Sequence, residues 1–224
     1  MKTTAYLMGV WLLVLLGFTQ AWAAESKEVE RIEASIDILE DITAIPEKSI
    51  PPALLENAEA IAVIPSVYKA GFVVGGRYGK GVVSVRDDQG TWQNPIFIVL
   101  AGGSVGWQIG AQATDLVLVF KKRKNVEAIK QGKFTLGADA AVAAGPVGRK
   151  AEAATDIKLE SEIYSYSRSR GLFAGISLEG AALQVDTQAN QDFYGAPLAR
   201  IEELENVPAA ANNFKQALRK YVNK

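Results

Sequence analysis

Short β-rich runs separated by glycines extend from Ala60 to Tyr194, and this pattern limits the fold more than any other feature of the sequence. Glycine inside a strand accompanies bulges and sharp curvature, because a backbone without Cβ bends easily and can be approached closely. The runs are Ile61–Ile64, Gly71–Arg77, Gly81–Arg86, Ile96–Leu100 and Leu116–Phe120. Regularly spaced strands of this kind predict a curved, barrel-like antiparallel sheet.

Two bends are predicted between these runs. The sequence Asp87-Asp88-Gln89-Gly90 is typical of the tight connection in a β-hairpin. The glycine-rich stretch Gly75–Gly81 does not fit a dinucleotide-binding fingerprint, and it predicts a second tight hairpin with glycines at its bend.

Two pairs of similar segments predict that the sheet is built from a duplicated hairpin unit. GSVGWQIGAQATD at residues 103–115 is similar to GPVGRKAEAATD at residues 145–156, and KAGFVVG at 69–75 is similar to SRGLFAG at 169–175. Two copies are too few for a solenoid, which needs at least three stacked repeats. The alternative is that glycine-rich hairpins resemble one another through composition alone.

Helical patterns flank the β-rich region on its N-terminal side. Apolar residues recur at spacings of three and four from Glu25 to Thr43, which indicates an amphipathic helix with an acidic outer face. Pro52 can begin a short helix that runs through Ala60. Within the β-rich region, residues 125–131 predict one helix that ends at Gly132.

Two further helices are predicted after Gly195. Pro197 and Pro208 each precede a helical pattern, and the last helix ends near Val222 with four bases and no carboxylate. A basic amphipathic helix either docks on the sheet or lies on a membrane surface. The predicted fold class is therefore α+β, with the curved sheet flanked by N-terminal and C-terminal helices.

The first 23 residues have the pattern of a secretory signal peptide. Lys2 is followed by an apolar run over Ala5–Phe18 and by Ala21-Trp22-Ala23, a small-x-small cleavage site. We expect cleavage before Ala24; the alternative is an uncleaved anchor, although the run is short for a membrane span. The remaining chain divides into a predicted helix and linker (24–51), a central domain (52–195) and C-terminal helices that pack on it (196–224).

The composition narrows the class of protein. No cysteine is present, so an exported form carries no disulfide. The 24 basic residues nearly balance the 25 acidic ones, whereas a nucleic-acid-binding domain is usually basic. We therefore expect a soluble envelope protein that does not bind nucleic acid and that meets any anionic partner through local patches.

The absence of histidine and cysteine argues against most enzymatic chemistry. Histidine is the usual general base near neutral pH, and both residues supply the common zinc ligands. The motif G-x-S-x-G at residues 102–106 lacks the histidine that a nucleophile elbow requires. No catalytic residue, metal site or cofactor is predicted.

Two arrangements leave an enzyme open as a minor alternative. Ser66 and Lys69 fit S-x-x-K, in which lysine activates serine, but the companion motifs S-D-N and K-T-G are missing. Asp115 and Asp156 occupy equivalent places in the similar segments and could form a carboxylate pair, although aspartate here more often fixes a turn through backbone N–H groups.

Basic residues beside glycines are the best candidates for an anion site. Arginine next to exposed backbone N–H groups can hold a phosphate through paired hydrogen bonds. The run Lys121-Lys122-Arg123-Lys124 follows a strand and predicts a solvated loop. The candidate anion-binding residues are Arg168, Arg170, Arg149, Lys150, Lys69, Arg77 and Lys80.

Several motifs together resemble the SYLF domain family. They are AIAVIP, KAGF, YGKGVV, the tryptophan and proline of W-x-x-P at residues 92–95, GGSVGWQIG, AAGPVGR and SYSRSRGLFAG, spread over residues 52–195. The resemblance implies a lipid-binding domain, since eukaryotic members bind phosphoinositide membranes and fungal members also bind actin. The acidic first helix departs from a membrane-inserting pattern.

The expected function follows from this resemblance, the export signal and the basic clusters. It is non-enzymatic binding of anionic phospholipid head groups at a membrane surface in the bacterial periplasm. The alternative is a structural or assembly protein of the envelope that acts through protein–protein contact, including contact with a second copy of the chain. The functional prediction centres on Arg168 and Arg170.

Overall fold

The computed structural model describes residues 26–44, 50–147, 160–169, 172–176 and 178–222. The predicted signal peptide lies outside these residues, as do Arg149, Lys150 and Arg170.

Helices stand at both ends of the described chain, as the sequence predicts. Helix α1 spans Lys27–Ala44, and α2 spans Pro52–Glu56, shorter than predicted. Helix α3 spans Lys124–Gln131 and ends at Gly132, where the predicted stop lies. Three more helices follow the sheet: α4 (Thr187–Tyr194), α5 (Leu198–Ile201) and α6 (Ala209–Val222).

The sheet is organised around one long antiparallel hairpin. Strand β1 spans Ala60–Val85 and strand β2 spans Ile96–Phe120, and they pair from Ala60 opposite Phe120 to Val83 opposite Ile96. The predicted turn connects them: the N–H of Gly90 donates to the carbonyl of Asp87 at 3.0 Å. Gly90 has a φ of +78°, which glycine adopts without steric cost.

Shorter strands complete a seven-stranded sheet within the described residues. They are β3 (Phe134–Thr135), β4 (Val142–Ala144), β5 (Ile163–Ser169), β6 (Leu172–Gly175) and β7 (Ala182–Val185). The start of β2 pairs with β7 and its end pairs with β5, while β3 pairs with β7 and β6 with β5, all antiparallel. The predicted curved antiparallel sheet is confirmed, with one parallel pair between β4 and β5.

The long hairpin folds back on itself. Gly81 makes this possible: a Cβ added there would lie 2.2 Å from the carbonyl oxygen of Val63 and 2.7 Å from the Cα of Ile64. Two register shifts interrupt the pairing, one between Ile64 and Val67 and one between Gly71 and Val73. Irregularities of this kind bend a strand and increase its twist. The two ends of β1 therefore touch, and the sheet curls.

Both faces of the sheet are buried, and each has its own core. On one face, Ile61, Val63 and Val117 lie against α1 and α6 residues such as Leu39 and Phe214. The residues that alternate with these along β1 and β2 lie on the opposite face of the sheet, because successive side chains of a strand point to opposite sides. There they fill the inside of the curled sheet together with residues of α3. Helices α1 and α6 thus cover the outer face of the curl, whereas Ile201 of α5 belongs to the inner core.

Three details differ from the sequence prediction. Gly75–Gly81 is not a hairpin bend, because it lies within the continuous strand β1. Segment 69–75 is also internal to β1, whereas the similar segment 169–175 runs from the end of β5 into β6, so the two have different positions in the sheet. Most of segment 145–156 lies outside the described residues. Helix α4 occupies residues that were expected to be β-rich.

Candidate functional site

Arg168, the centre of the functional prediction, is held by two carboxylates. Its Nε and Nη2 lie 2.9 Å and 2.8 Å from Oδ2 of Asp115, opposite Arg168 on β2, and its Nη1 forms an ion pair with Asp41 on α1. The side chain is 20% exposed. The guanidinium therefore joins β5, β2 and α1, and its positive charge is already met by two negative charges.

Asp115 also fixes the first irregularity of β1. Pro65 and Ser66 together stand opposite Asp115 alone, which is the two-against-one arrangement of a β-bulge. The N–H of Ser66 donates to Oδ1 of Asp115 at 3.0 Å, and Ser66 has a φ of +52°, which is uncommon for a residue other than glycine. The carboxylate thus binds both the bulge and Arg168. Asp115 lies inside the continuous strand β2 and does not turn the chain into a following strand, so the turn-fixing interpretation is wrong here. Asp156 lies outside the described residues.

Lys80 is likewise engaged with a carboxylate. Its Nζ lies 2.7 Å from Oδ2 of Asp186, and Nη1 of Arg31 lies 3.8 Å from the same oxygen. Asp186 also caps α4, because its Oδ1 accepts from the N–H of Ala189 at 3.2 Å. Burial alone would raise the pKa of Asp186, but the hydrogen bonds from Lys80 and Ala189 and the nearby positive charges lower it overall.

The other described candidates lie on β1. Lys69 stands opposite Gln112, and its side chain is exposed. Arg77 stands opposite Gly102 and is half-buried, and this burial lowers its pKa. The structure therefore brings Lys69, Arg77 and Lys80 onto one strand, whereas Arg168 belongs to a separate ion-pair cluster on β5.

The basic run after β2 is tied to acidic neighbours. Lys122 and Lys124 both contact Oε1 of Glu162, at 2.5 Å and 3.0 Å, and Arg123 contacts Asp88 at 2.5 Å. The hydrogen bonds from Lys122 and then Lys124 lower the pKa of Glu162 to about 2. These ion pairs are exposed, so each contributes little to stability.

A groove of about 450 Å³ lies between β1 and the first two turns of α1, within the volume range of ligand pockets. Pro65 and Ser66 of the bulge form part of its wall. The side chains that give it chemical character are Lys27, Glu30, Arg31, Tyr68, Tyr78 and Lys80. We call it the α1–β1 groove.

Two tyrosines distinguish this groove from the rest of the described surface. Tyr68 is 61% exposed and Tyr78 is 49% exposed, and among the described residues only Val147 joins them as an exposed large apolar side chain. The tyrosines are ten positions apart along β1, but the strand folds back between residues 64 and 81. A Cβ added at Gly79 would lie 2.8 Å from Cγ2 of Val67, which shows how closely the two segments approach.

The sequence prediction missed these tyrosines for a physical reason. Strand alternation assigns residues to opposite faces only while the register is unbroken, and the bulge at Pro65–Ser66 adds one residue between Ile64 and Val67. The sequence offered one usable signal, namely that each tyrosine adjoins a basic residue: Tyr68 precedes Lys69, and Tyr78 follows Arg77.

The structure gives the serine–lysine arrangement no support. A lysine that activates serine must lie within hydrogen-bond reach of it. In the part of the chain that the structure describes, no hydrogen bond joins Ser66 to Lys69, and Ser66 instead uses its N–H to close the bulge.

No helix in the described ranges is both long and apolar enough to cross a membrane.

Comparison with known proteins identifies the family of this chain. A family model described as "Ysc84: Las17-binding protein actin regulator" matches residues 101–221. The chain is 42% identical over 173 residues to SH3 domain-containing YSC84-like protein 1 of Xenopus laevis, a match that covers 75% of this chain and 51% of that protein. The chain belongs to the Ysc84 family. The resemblance to SYLF domains is thereby confirmed.

Other relatives in the Ysc84 family extend the match. Protein YSC84 of Saccharomyces cerevisiae is 41% identical over 152 residues, covering 66% of this chain and 32% of that protein. LAS seventeen-binding protein 3 of the same organism is 38% identical over 175 residues, covering 77% and 38%. The chain thus spans about half or less of the length of these relatives. Their names describe binding or regulatory proteins, not enzymes.

Proposed function

We propose that this Ysc84-family chain is a non-enzymatic binding module that acts through protein–protein contact. The observation that carries the proposal is the exposed pair Tyr68 and Tyr78 on the rim of the α1–β1 groove. Tyrosine is enriched at the energetic centres of protein interfaces, because it adds a large apolar ring and a hydroxyl at a low entropy cost. The names of the relatives, which include Las17-binding proteins, support the same class of function.

Site-specific photocrosslinking in the native cells tests this proposal. A benzophenone amino acid is placed at Tyr68 or at Tyr78, and a matched control carries it at Gln89, an equally solvent-facing position in the β1–β2 turn. We expect discrete protein adducts from positions 68 and 78 and none from position 89. Adducts with lipid alone, or the same adducts from all three positions, would refute protein contact at this surface.

Contact with anionic phospholipid is a second proposal, and exposed Lys69 beside Tyr68 supports it. The two carboxylates that neutralise Arg168 weigh against that candidate, whereas Lys80 is paired with Asp186 but keeps 40% of its side chain exposed. Co-sedimentation with phosphatidylglycerol vesicles at low salt measures it directly. Lys69→Glu should then weaken sedimentation, while Lys133→Glu, an exposed change after α3, should leave it unchanged. Equal loss in both variants would indicate nonspecific charge attraction.

Export remains a proposal that rests on the N-terminal pattern. We propose that residues 1–23 are removed and that the mature chain resides in the periplasm. An intact mass of the protein from cells, together with osmotic-shock fractionation, measures both points. A mature form that begins at Ala24 and is released by osmotic shock is expected; an N-terminus at Met1 in the cytoplasmic fraction would contradict it.

A further inference from the structure

The α1–β1 groove has an excess of positive charge. Lys27, Arg31 and Lys80 line it, and Glu30 supplies the single carboxylate among its lining residues. Asp186 partly offsets Lys80 and Arg31 from beneath, but its side chain is only 9% exposed, whereas that of Lys80 is 40% exposed. Lys27 and Glu30 are both exposed, so two exposed bases, Lys27 and Lys80, stand against one exposed carboxylate at this groove.

The tyrosines add an apolar contact between these charges. The folded-back course of β1 brings Tyr68 and Tyr78 to the same groove, so their exposed rings can hold one apolar side chain of a ligand. Exposed apolar rings that are surrounded by polar residues are typical of protein interaction sites. The groove thus combines an apolar centre with a surround in which exposed bases outnumber exposed carboxylates.

The shape of the groove favours a peptide over a membrane surface. A bilayer is flat on the scale of a 450 Å³ depression, so its head groups would meet the edge of the groove and leave its interior unoccupied. An extended peptide is narrow enough to lie along the groove and contact both tyrosines.

We propose that the α1–β1 groove binds an extended acidic peptide segment of a partner protein. An apolar or aromatic side chain of the segment lies between Tyr68 and Tyr78, and flanking carboxylates pair with Lys27 and Lys80. The inference rests on the proposed protein-binding function and names the chemistry of the partner. Charge complementarity of this kind mainly sets partner choice and association rate, and the aromatic contacts supply most of the affinity.

Fluorescence anisotropy with a defined probe tests the inference. The probe is an acetylated, fluorescein-labelled peptide of sequence Asp-Glu-Phe-Asp-Glu, and the matched control peptide carries lysine in place of every acid. We expect saturable binding of the acidic peptide only, weakened as salt is raised. Binding of both peptides, or of the basic peptide alone, overturns the proposal.

Variants of the exposed side chains locate the site. The double variant Tyr68→Ser/Tyr78→Ser should weaken the acidic peptide at least about tenfold, and Lys27→Glu should weaken it about threefold or more. Lys133→Glu, on a different part of the surface, should change nothing. All these positions are exposed, and unchanged thermal melting curves will show that the variants remain folded. Unaltered binding in the double variant overturns the proposal.

These experiments distinguish failure of the acidic-peptide proposal from failure of the proposed protein-binding function. If position 68 still crosslinks to a protein but the acidic peptide does not bind, the acidic chemistry is wrong while protein binding stands. If the tyrosine variants instead abolish sedimentation with phosphatidylglycerol vesicles and leave peptide binding unaffected, the groove is a membrane site and the proposal falls.

Discussion

Replacing Gly81 with alanine should strongly destabilise the fold, because the added methyl group would occupy the position of main-chain atoms. It would lie 2.2 Å from the carbonyl oxygen of Val63 and 2.7 Å from the Cα of Ile64, and neither can move away without distorting β1. Overpacking typically costs about 1–3 kcal/mol, and a contact with backbone belongs at the upper end. We expect a loss of about 3 kcal/mol, which lowers Tm by roughly 6–12 °C in a chain of this size.

The control for this experiment is Gly103→Ala on β2. No atom lies within 4 Å of a Cβ at that position, so the change should be neutral or should stabilise the fold by up to about 1 kcal/mol through the unfolded chain. Urea denaturation and thermal melting by circular dichroism measure both variants. A difference of 2 °C in Tm corresponds to roughly 1 kcal/mol in a chain of this size. If the Tm values of Gly81→Ala and Gly103→Ala agree within 2 °C, the inference that the two ends of β1 touch at Gly81 is refuted.

Three further substitutions probe the polar clusters. Arg168→Ala should cost about 1–3 kcal/mol in urea denaturation because it leaves Asp115 without its counterion; a stable variant that instead loses binding to anionic vesicles would restore the phosphate role of Arg168. The pKa of Asp186 is lower in the folded state than in the unfolded state, where it is about 4. The ionised carboxylate therefore stabilises the fold above about pH 4, and this stabilisation is lost as the pH falls through the folded-state pKa. Asp186→Asn should therefore be less stable at pH 7 and show a flatter stability curve in acid, whereas an unchanged acid slope would contradict the ion pair. Asn190→Ala should cost about 1–3 kcal/mol, because it removes the acceptor of the buried N–H of Phe97, while the carbonyl of Phe97 still accepts from the N–H of Asp186; a change below about 0.5 kcal/mol would refute that role.

Local signals predicted the helices and the main turn well. The spacing of apolar residues indicated α1, Gly132 marked the end of α3, and the sequence from Asp87 to Gly90 forms the hairpin turn. Each of these depends on neighbouring residues only. Helix α4 has equally local signals, because Asp186 caps its start and Gly195 ends it with a φ of +64°, but it directly follows the β-rich runs and shares their glycine punctuation.

The course of β1 could not be predicted in the same way. Glycine is compatible with a hairpin bend and with a strand that is closely approached by another segment, and sequence alone does not distinguish the two. Gly79 and Gly81 belong to the second kind because residues 63–67 lie against them. The decision depends on contacts with a distant part of the strand, which no local pattern records.

The candidate site was predicted only at the level of residue type. Arginine beside glycine suggested a phosphate site at Arg168, but its partners Asp41 and Asp115 are distant in sequence. Whether an arginine is available to a ligand depends on such tertiary neighbours. The exposed tyrosines were missed because a single bulge decides which face they occupy.

The two ends of the described chain meet in one core, and this has a consequence for the order of folding. Ile32 and Leu39 of α1 share a buried cluster with Phe214 and Leu218 of α6, residues separated by roughly 180 positions. During synthesis, the outer face of the β1–β2 hairpin therefore remains uncovered on the α6 side until nearly the whole chain has emerged. Contacts between such distant segments slow folding, so a C-terminally truncated chain should expose the apolar face of its longest strands and aggregate.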